Sequence, residues 1–508
     1  MPHGGADFME LSMPQGLLAL CLSLMLVLIS GHAPVWADED DTRYLLQEQT
    51  RRAAERAAGP QGELFAPPGS LVVDGRVQAV QSRQEELEPA IYIAINSGQW
   101  ERLPEFLSRY RLLHGHRPAL VAMAEALLAR HQGDYAAALR RMQAAHAADP
   151  ADARINLELA RLRFEDNQDG AAGEGFARAM AAGLPGQVQA MVRQYQQALA
   201  ERARWHGSLA LGWGYNNNIN QGSGDYACFL ELGGMCFFER RMPQPIHSSL
   251  LNYELALQRR WNLGGNHNLQ LRPVSYGSHY SRKDGTGSSP ISDHGSRTSI
   301  LYGGYQWLDA RTTASVTPYL EHFHRNGHTE YVARGMQLEW QRMVGSGLRL
   351  GTSLDAKRYA HTGRGLLVSG SDYSQYQWGV SAVYVPQPNT VLNVGADVTR
   401  KKYAVPQASS RDWAFRGGIY HQFAGTAGLF VNVMGVFRFG RNDAYDGFLG
   451  AQRRDRQQVY ILGIGANAWK LAGMTPELRL RHSANRSNVS WAYGFRQTEL
   501  GVMLRRNF

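Results

Sequence analysis

From Trp205 to Phe508 the chain alternates apolar and polar residues in short runs separated by turn-forming segments. Within residues 429–439 every second residue is apolar or glycine, whereas Asn432 and Arg438 fall between them. Glu477–His482 repeats the pattern, with leucines alternating with charged side chains. Because successive side chains on a strand point to opposite faces, each run requires an apolar environment on one side and a wet one on the other. Both a soluble sandwich and a membrane barrel satisfy this pattern.

The order of the connections separates these two folds, because short connections alternate with mostly longer polar ones. The short ones are Asn262–Asn266, Leu308–Ala310, Val344–Ser346, Gln387–Asn389, Ala424–Thr426 and Leu471–Met474. The other set is Asn216–Ile246, Arg282–Ser292, Arg325–His328, Thr362–Gly370, Lys401–Ser410, Arg441–Ala451 and Asn485–Ser490. Short turns on one side and long loops on the other are typical of outer-membrane β-barrels, and this set predicts about fourteen strands.

Composition supports the barrel. The 54 Gly, 23 Tyr and 11 Trp residues suit strands that carry aromatic girdles at both membrane interfaces. Mean hydropathy is −0.37. This low value is compatible with a transmembrane barrel, because only alternate residues of a barrel strand face lipid. The C-terminal Phe508 ends the last predicted strand and is interpreted as the barrel C-terminal signal, with Leu500, Val502 and Leu504 on the same face.

Net charge indicates which partners to expect. Lys and Arg exceed Asp and Glu by 53 − 44 = 9. We attribute the excess to basic residues that line a wet lumen and meet anionic lipid headgroups. The chain has no Lys/Arg cluster with the aromatic spacing typical of nucleic-acid binding, so nucleic acid is not an expected partner.

The N-terminus predicts export. Gly16–Ser30 is an apolar segment that precedes Val35-Trp36-Ala37, an A-x-A-like cleavage site. Residues 1–37 are therefore predicted to be a signal peptide, and residues 38–84 an arm or linker that contains several prolines and glycines.

Cysteine and histidine positions bear on metal binding and redox chemistry. Cys228 and Cys236 lie close together in the first long loop, and an oxidising periplasm favours a disulfide between them. No His or carboxylate cluster accompanies the pair, which argues against a metal site. His322 and His324 share one face of a strand, and polar residues in a wet lumen explain them without a metal. We expect neither a metal nor a cofactor, and no catalytic residues.

Residues 85–204 read as paired helices with a repeat. Ala119–Pro150 carries small residues at positions that recur thirty-four places later at Ala160, Ala172 and Ala179. This period is that of the tetratricopeptide repeat. A degenerate copy fits Glu85–Pro118, and Leu184–Arg204 is predicted to be a capping helix. The concave face of such a stack binds extended peptides; the alternative is a plug or spacer that seats against the barrel.

The predicted fold class is therefore α + β and multi-domain. A short all-α tetratricopeptide domain, residues 85–204, precedes an antiparallel transmembrane β-barrel of about fourteen strands, residues 205–508. The predicted location is the outer membrane, with the repeats in the periplasm.

Three segments carry a resemblance to a known family. They are E-L-A-R-L-R-F-E-D-N at residues 158–167, Leu184-Pro185 followed by Q-Y-Q-Q-A-L at 194–199, and G-W-G-Y-N-N-N-I-N at 212–220. With the order of domains, they resemble the surface lipoprotein assembly modulator (Slam) family across roughly residues 85–508. The arm before the repeats departs most from that family.

The resemblance implies an outer-membrane translocon that delivers surface lipoproteins or related secreted proteins to the cell surface, and not an enzyme. Client-binding candidates on the repeats are Tyr135, Arg161, Phe164, Glu165 and Asn167. The barrel entry motif comprises Gly214, Tyr215, Asn216, Asn218 and Asn220. Implied partners are the client protein and outer-membrane lipid; periplasmic chaperones and the barrel-assembly machinery are further candidates.

Transport would draw on binding and folding free energy, since the sequence has no nucleotide-binding loop. The route is either the lumen or the seam between the first and last strands, where Gly207, Gly212 and Gly214 pack little side chain. Two other functions share this architecture: an exopolysaccharide exporter, and a diffusion porin with a periplasmic repeat domain. An exporter would favour more repeats and a lumen of one charge sign.

Overall fold

A computed structural model describes residues 80–281, 294–325, 327–345, 347–363, 371–425 and 427–508. The predicted signal peptide, most of the arm at 38–84, and most of the loops predicted near 282–292 and 362–370 lie outside the described residues. No helix in the described ranges is long and apolar enough to cross a membrane.

Helices fill the first part of the described chain. They are α1 (Gln84–Asn96), α2 (Leu103–Arg111), α3 (Pro118–His131), α4 (Tyr135–Ala148), α5 (Ala153–Glu165), α6 (Asp169–Ala181) and α7 (Gly186–Arg202). The pairs begin at Gln84, Pro118 and Ala153, which are 34 and 35 residues apart. The turn inside each pair places one residue at positive φ: Gly98, Gly133 and Asn167. Glycine and asparagine tolerate this conformation best. The recurring turn residue therefore contributes to the repeat period together with helix packing.

The helices bury two apolar clusters. One joins α1 to α5 and includes Leu87, Tyr110 and Met142, each fully buried. The second joins α5, α6 and α7, where the Phe176 ring stacks on Tyr195 with ring centroids 5.1 Å apart. Continuous burial from pair to pair is how a short repeat stack gains stability.

Strands fill the remainder. They are β1 (His206–Asn216), β2 (Tyr226–Leu232), β3 (Met235–Arg241), β4 (Ser248–Gly264), β5 (His267–Tyr280), β6 (Ser296–Leu308), β7 (Thr312–Arg325), β8 (His328–Val344), β9 (Leu348–His361), β10 (Tyr373–Gln387), β11 (Thr390–Tyr403), β12 (Ser410–Gln422), β13 (Leu429–Asn442), β14 (Arg454–Ala466), β15 (Thr475–Ser487) and β16 (Phe495–Asn507). A four-residue helix, α8 (Ser490–Tyr493), precedes β16.

Among the described residues, β1 and β4–β16 form a closed antiparallel barrel of fourteen strands, and β2–β3 form a separate hairpin. The predicted fold class is confirmed. The short turns lie at the end where the helices join β1, here called the repeat-side end. The longer loops lie at the opposite end, here called the far end.

Side chains alternate between lumen and exterior as the sequence predicts. On β1, Ala210 is fully buried whereas Trp213 is 67% exposed. His322 shares the outward face of β7 with Leu320, which is 53% exposed, whereas Glu321 between them is buried. The lumen position expected for His322 is therefore wrong, because alternation shows which residues share a face but not which face points inward.

Candidate functional site

The repeats meet the barrel at the turn between α5 and α6. Helix α5 ends with the amide of Gln168 bonded to the Arg163 carbonyl and that of Asn167 to the Phe164 carbonyl. Asn167 has φ +60°, so the helix closes with an asparagine in the left-handed conformation. This geometry turns Asp166 and the Asn167 side chain away from the helix towards the barrel.

Two repeat-side turns of the barrel receive these groups. The Asn167 side-chain amide donates to the Asp309 carbonyl, 3.0 Å away, in the β6–β7 turn. The Ala310 amide donates to the Asp166 carboxylate at 3.1 Å. In the β4–β5 turn, the Asn266 side chain donates to the same carboxylate at 3.1 Å and to the Leu308 carbonyl at 2.8 Å. Asp166 thus links both turns.

A charged cluster adjoins these bonds at the start of α6. Asp169 accepts from Arg202 of α7 at 2.8 Å and from Arg260 of β4 at 2.5 Å. All three side chains are largely buried, with exposed fractions of 15%, 29% and 13% respectively. The Arg202 guanidinium also lies 3.8 Å from the centre of the Phe164 ring. We call the contacts of Asp166, Asn167 and Asp169 with the barrel turns and β4 the joint.

A second repeat turn touches the same region. Gly133, with φ +78°, packs so close to the Arg311 guanidinium that a Cβ there would lie 1.8 Å from its Nη2 atom. Glycine at this position therefore serves the positive-φ backbone conformation, and the Arg311 guanidinium of the β6–β7 turn occupies the space next to it.

The predicted client-binding residues lie within and beside the joint. The Glu165 carboxylate accepts two bonds from Arg130, at 2.7 and 2.9 Å, and one from Arg161 at 3.1 Å. Arg161 and Phe164 are buried, and the Phe164 ring meets Tyr195 edge to face at 4.9 Å. These side chains hold α3, α5 and α7 together. Their role in client binding stays a prediction.

Buried charge inside the stack is partly compensated. Glu158 is buried 3.5 Å from the Arg161 guanidinium, and burial raises the pKa of its carboxyl while Arg161 and Arg154 oppose the rise. Burial also raises the pKa of Tyr135; Glu165 adds to the rise, whereas Arg130 of the stack and, to a smaller extent, Arg311 of the barrel turn oppose it. Tyr135 is therefore influenced by charges of both the stack and the barrel turn.

The barrel entry motif lies at the far end of β1. Asn216 accepts from the Asn218 amide at 2.9 Å, and the Asn218 side chain donates to the carbonyls of Gly222 at 3.0 Å and Arg496 at 2.9 Å. The Asn220 side chain donates to the Gln244 carbonyl at 2.8 Å. The asparagines therefore fasten the base of the first long loop to β16.

Seam contacts are continuous along β1 and β16, from Ser208 opposite Asn507 to Asn216 opposite Glu499. A Cβ on Gly214 would lie 2.4 Å from the Leu500 carbonyl oxygen, so this glycine permits close strand approach. Tyr215, by contrast, is 47% exposed on the outward face. At the repeat-side end, Phe508 exchanges main-chain bonds with Gly207 at 2.7 and 3.0 Å.

The far-end loops pack on one another. A disulfide joins Cys228 of β2 to Cys236 of β3, with Cα atoms 5.8 Å apart, as the sequence predicts. The Phe229 ring next to it lies 5.3 Å from Phe448 and 5.4 Å from Trp491. The hairpin therefore packs against the β13–β14 loop and α8.

Lumen charges of both signs pair with each other. Glu254 accepts from Arg479 at 2.8 Å and from Arg505 at 3.3 Å. Lys357 donates to Glu321 at 2.7 Å, on a different part of the wall. The lumen thus presents mixed, largely compensated charge.

Sequence reasoning missed the joint partners of the repeats, above all Asp166, Asp169 and Arg260. One signal was available: Asn262, Asn266 and Asp309 are concentrated in two successive repeat-side turns. Their partners on the repeats lie 92 to 142 residues away along the chain, so the pairing itself is not visible in the sequence.

Comparisons with known proteins match both parts of the chain. Residues 205–508 match the family model of the surface lipoprotein assembly modifier, and residues 73–176 match the model of its N-terminal TPR repeats. The chain is 25% identical to hemophilin secretion modulator of Acinetobacter baumannii over 499 residues, covering 93% of this chain and 97% of that protein. It is 23% identical to surface lipoprotein assembly modifier 1 of Neisseria meningitidis serogroup B over 482 residues, covering 92% of each. The crystal structure of Acinetobacter baumannii OccAB1 aligns with a TM-score of 0.32 and 8% identity, over 60% of this chain and 97% of that one.

Proposed function

Because this chain belongs to the surface lipoprotein assembly modifier family, we propose that it carries specific client proteins from the periplasm to the cell surface. The protein is an outer-membrane β-barrel. The names of its relatives supply two client classes, a surface lipoprotein and a secreted protein. We propose that the client of this chain belongs to one of them, and that the repeats lie on the periplasmic side.

One observation supports this proposal above the others: the repeat stack is fixed to the barrel by directed bonds and not merely tethered to it. Asp166 and Asn167 reach two barrel turns, and Asp169 reaches β4. Tetratricopeptide stacks bind extended peptides or partner helices. A client held by this stack is therefore held at the barrel entrance.

Tyr135, Arg161, Phe164, Glu165 and Asn167 are the residues that we propose couple capture to the barrel. Arg161, Phe164 and Glu165 fix the helices, and Asn167 bonds to the Asp309 carbonyl. A client that contacts Tyr135 would change the electrostatic surroundings of Arg311 in the β6–β7 turn. Client binding would thereby affect the contacts of the joint.

The lumen favours a protein client over an anionic polysaccharide. An exporter of a polymer with one charge sign would favour a wall of the opposite sign, whereas Glu254 with Arg479 and Glu321 with Lys357 neutralise each other. We further propose that the role is not enzymatic, and that folding of the client outside makes its passage one-way.

The test is co-expression with a lipoprotein or small secreted protein encoded by a neighbouring gene, followed by protease shaving of intact cells. We expect client exposure with the full chain, and its loss when residues 85–183 are deleted or when Tyr135→Ala is introduced. Heat-modifiable gel mobility of each variant verifies that its barrel has folded. Client exposure that is unchanged by the deletion would overturn the capture step, and exposure without the protein would overturn the function.

A further inference from the structure

Arginines line the outward face of the barrel at its far end, directly opposite one another on neighbouring strands. Arg411 of β12 lies opposite Arg400 of β11 and Arg441 of β13. Arg441 lies in turn opposite Arg454 of β14. One row of four cations therefore crosses four consecutive strands. We call it the arginine row.

Two further outward pairs flank the row. Arg456 of β14 lies opposite Arg486 of β15, and Arg334 of β8 lies opposite Arg358 of β9. All four side chains are exposed. Like charges directly opposite on a sheet repel each other, so the fold places cations together where they destabilise it unless an anion lies between them.

The described part of the protein supplies little negative charge near the arginine row. On β8–β16 the carboxylates, such as Asp412, Asp455 and Glu499, point to the lumen side, as the alternation with exposed neighbours shows. Arg400 pairs with Asp443 of the β13–β14 loop, and Arg441 donates to the Gln452 side-chain oxygen at 2.9 Å. One carboxylate against four guanidinium groups leaves the row strongly positive.

The depth of the row matches a lipid headgroup layer. On β12, Trp413 and Phe415 follow Arg411 on the same face and are 50% and 49% exposed. On β13, Phe439 precedes Arg441 by two residues on the same face, farther from the far end, and is 45% exposed. Aromatic residues of outer-membrane barrels mark the interfaces of the apolar band. The arginines lie immediately outside that band, where lipid phosphates lie.

The repeat-side end provides an internal contrast. Arg342 there lies opposite Thr312 and Leu350, and Arg506 lies opposite Leu209. Neither faces another cation across a ladder. Outward arginines directly opposite one another on neighbouring strands therefore distinguish the far end, which is the end that would meet the outer leaflet.

We propose that the arginine row binds the phosphate groups of a phosphorylated glycolipid in the outer leaflet, of the lipid A type. Guanidinium groups recognise phosphate oxygens through paired, charge-assisted hydrogen bonds. Neighbouring strands are about 4.8 Å apart, so adjacent arginines can share one phosphate between them. The acyl chains of the glycolipid would then lie along Trp413, Phe415 and Phe439. This inference is independent of which client the protein carries.

The test measures the dissociation constant of bis-phosphorylated lipid A for the full chain in non-ionic detergent. The variant is Arg411→Gln with Arg441→Gln, and the matched control is Arg342→Gln with Arg506→Gln. Basic residues near an anionic surface contribute about 1 kcal/mol each, so the variant should bind about 30-fold more weakly. The control should bind as the native protein does. Heat-modifiable mobility verifies folding of each.

A second measurement on the native protein needs no substitution. Dephosphorylated lipid A should bind much more weakly than the bis-phosphorylated form, and phosphatidylglycerol should also bind more weakly than the bis-phosphorylated form. Equal binding by variant and control would overturn the site. Equal binding of phosphorylated and dephosphorylated lipid A would overturn the phosphate contact. Phosphatidylglycerol binding as tightly as lipid A would overturn the assignment to a glycolipid.

Discussion

The Asp169→Asn substitution should loosen the joint without unfolding either domain. Asp169 holds Arg202 and Arg260 with separate carboxylate oxygens, at 2.8 and 2.5 Å. Asparagine keeps one acceptor oxygen and places an amide donor against the other arginine. The joint should therefore lose roughly one charge-assisted hydrogen bond, which contributes about 1.5–3 kcal/mol.

Hydrogen exchange measures this loss directly. The Ala310 amide is bonded to the Asp166 carboxylate across the joint, so it exchanges when the joint opens. A free-energy loss of about 1.5–3 kcal/mol corresponds to exchange that is about 10- to 150-fold faster in peptides covering the β6–β7 turn. Peptides from the middle of the barrel strands should exchange at the native rate.

Helix α6 itself offers the control. Glu174 lies 3.7 Å from Arg178, and the two side chains are 74% and 68% exposed. Exposed pairs of this kind contribute about 0.5 kcal/mol or less, so Glu174→Gln should leave exchange at Ala310 nearly unchanged. If Asp169→Asn behaved like this control, the joint would not depend on the charged cluster. Faster exchange throughout α5 and α6 would also refute the reasoning, because it would indicate unfolding of the repeat.

Two further substitutions test the packing of the repeats and the far-end hairpin. Phe176→Ala removes a fully buried ring and should destabilise the helical domain by about 3–5 kcal/mol, read as an earlier loss of helical circular dichroism on heating. Leu112→Ala changes a side chain that is 84% exposed and should leave the stability of the helical domain nearly unchanged. Equal destabilisation by the two substitutions would contradict the assigned core. Replacing Cys228 and Cys236 with serine should speed protease cleavage within the hairpin, because it removes a constraint of about 2–3 kcal/mol. The heat-modifiable mobility of the barrel should persist, since the hairpin is outside the barrel sheet; a lost mobility shift would show that the hairpin supports the barrel.

The sequence predicts those parts of the fold that depend on local periodicity. Alternation over short runs predicts the barrel strands, and the thirty-four-residue period predicts the helix pairs. The disulfide follows from loop position and spacing. Each of these signals lies within a few tens of residues, where turn geometry and side-chain direction are set by neighbours along the chain.

Contacts between distant segments were not predictable in the same way. Asn167 reads as a residue of the repeat motif, yet its side chain bonds to a turn 142 residues further on. His322 shares a face with Leu320, but only the closed barrel shows that this face points outward. In both cases the sequence defines the local geometry. The closed barrel then determines the bonding partner of Asn167 and the side of the wall on which His322 lies.

The brevity of the connection between the domains has a kinetic consequence. Helix α7 ends at Arg202 and β1 begins at His206, which leaves only residues 203–205 between them. Such a segment spans at most about 10–14 Å, so under the proposed capture step a client bound to the repeats would stay near the entrance at an effective concentration of about millimolar. That step could then work with weak binding and quick release, because a released client would meet the same barrel again before it diffused away.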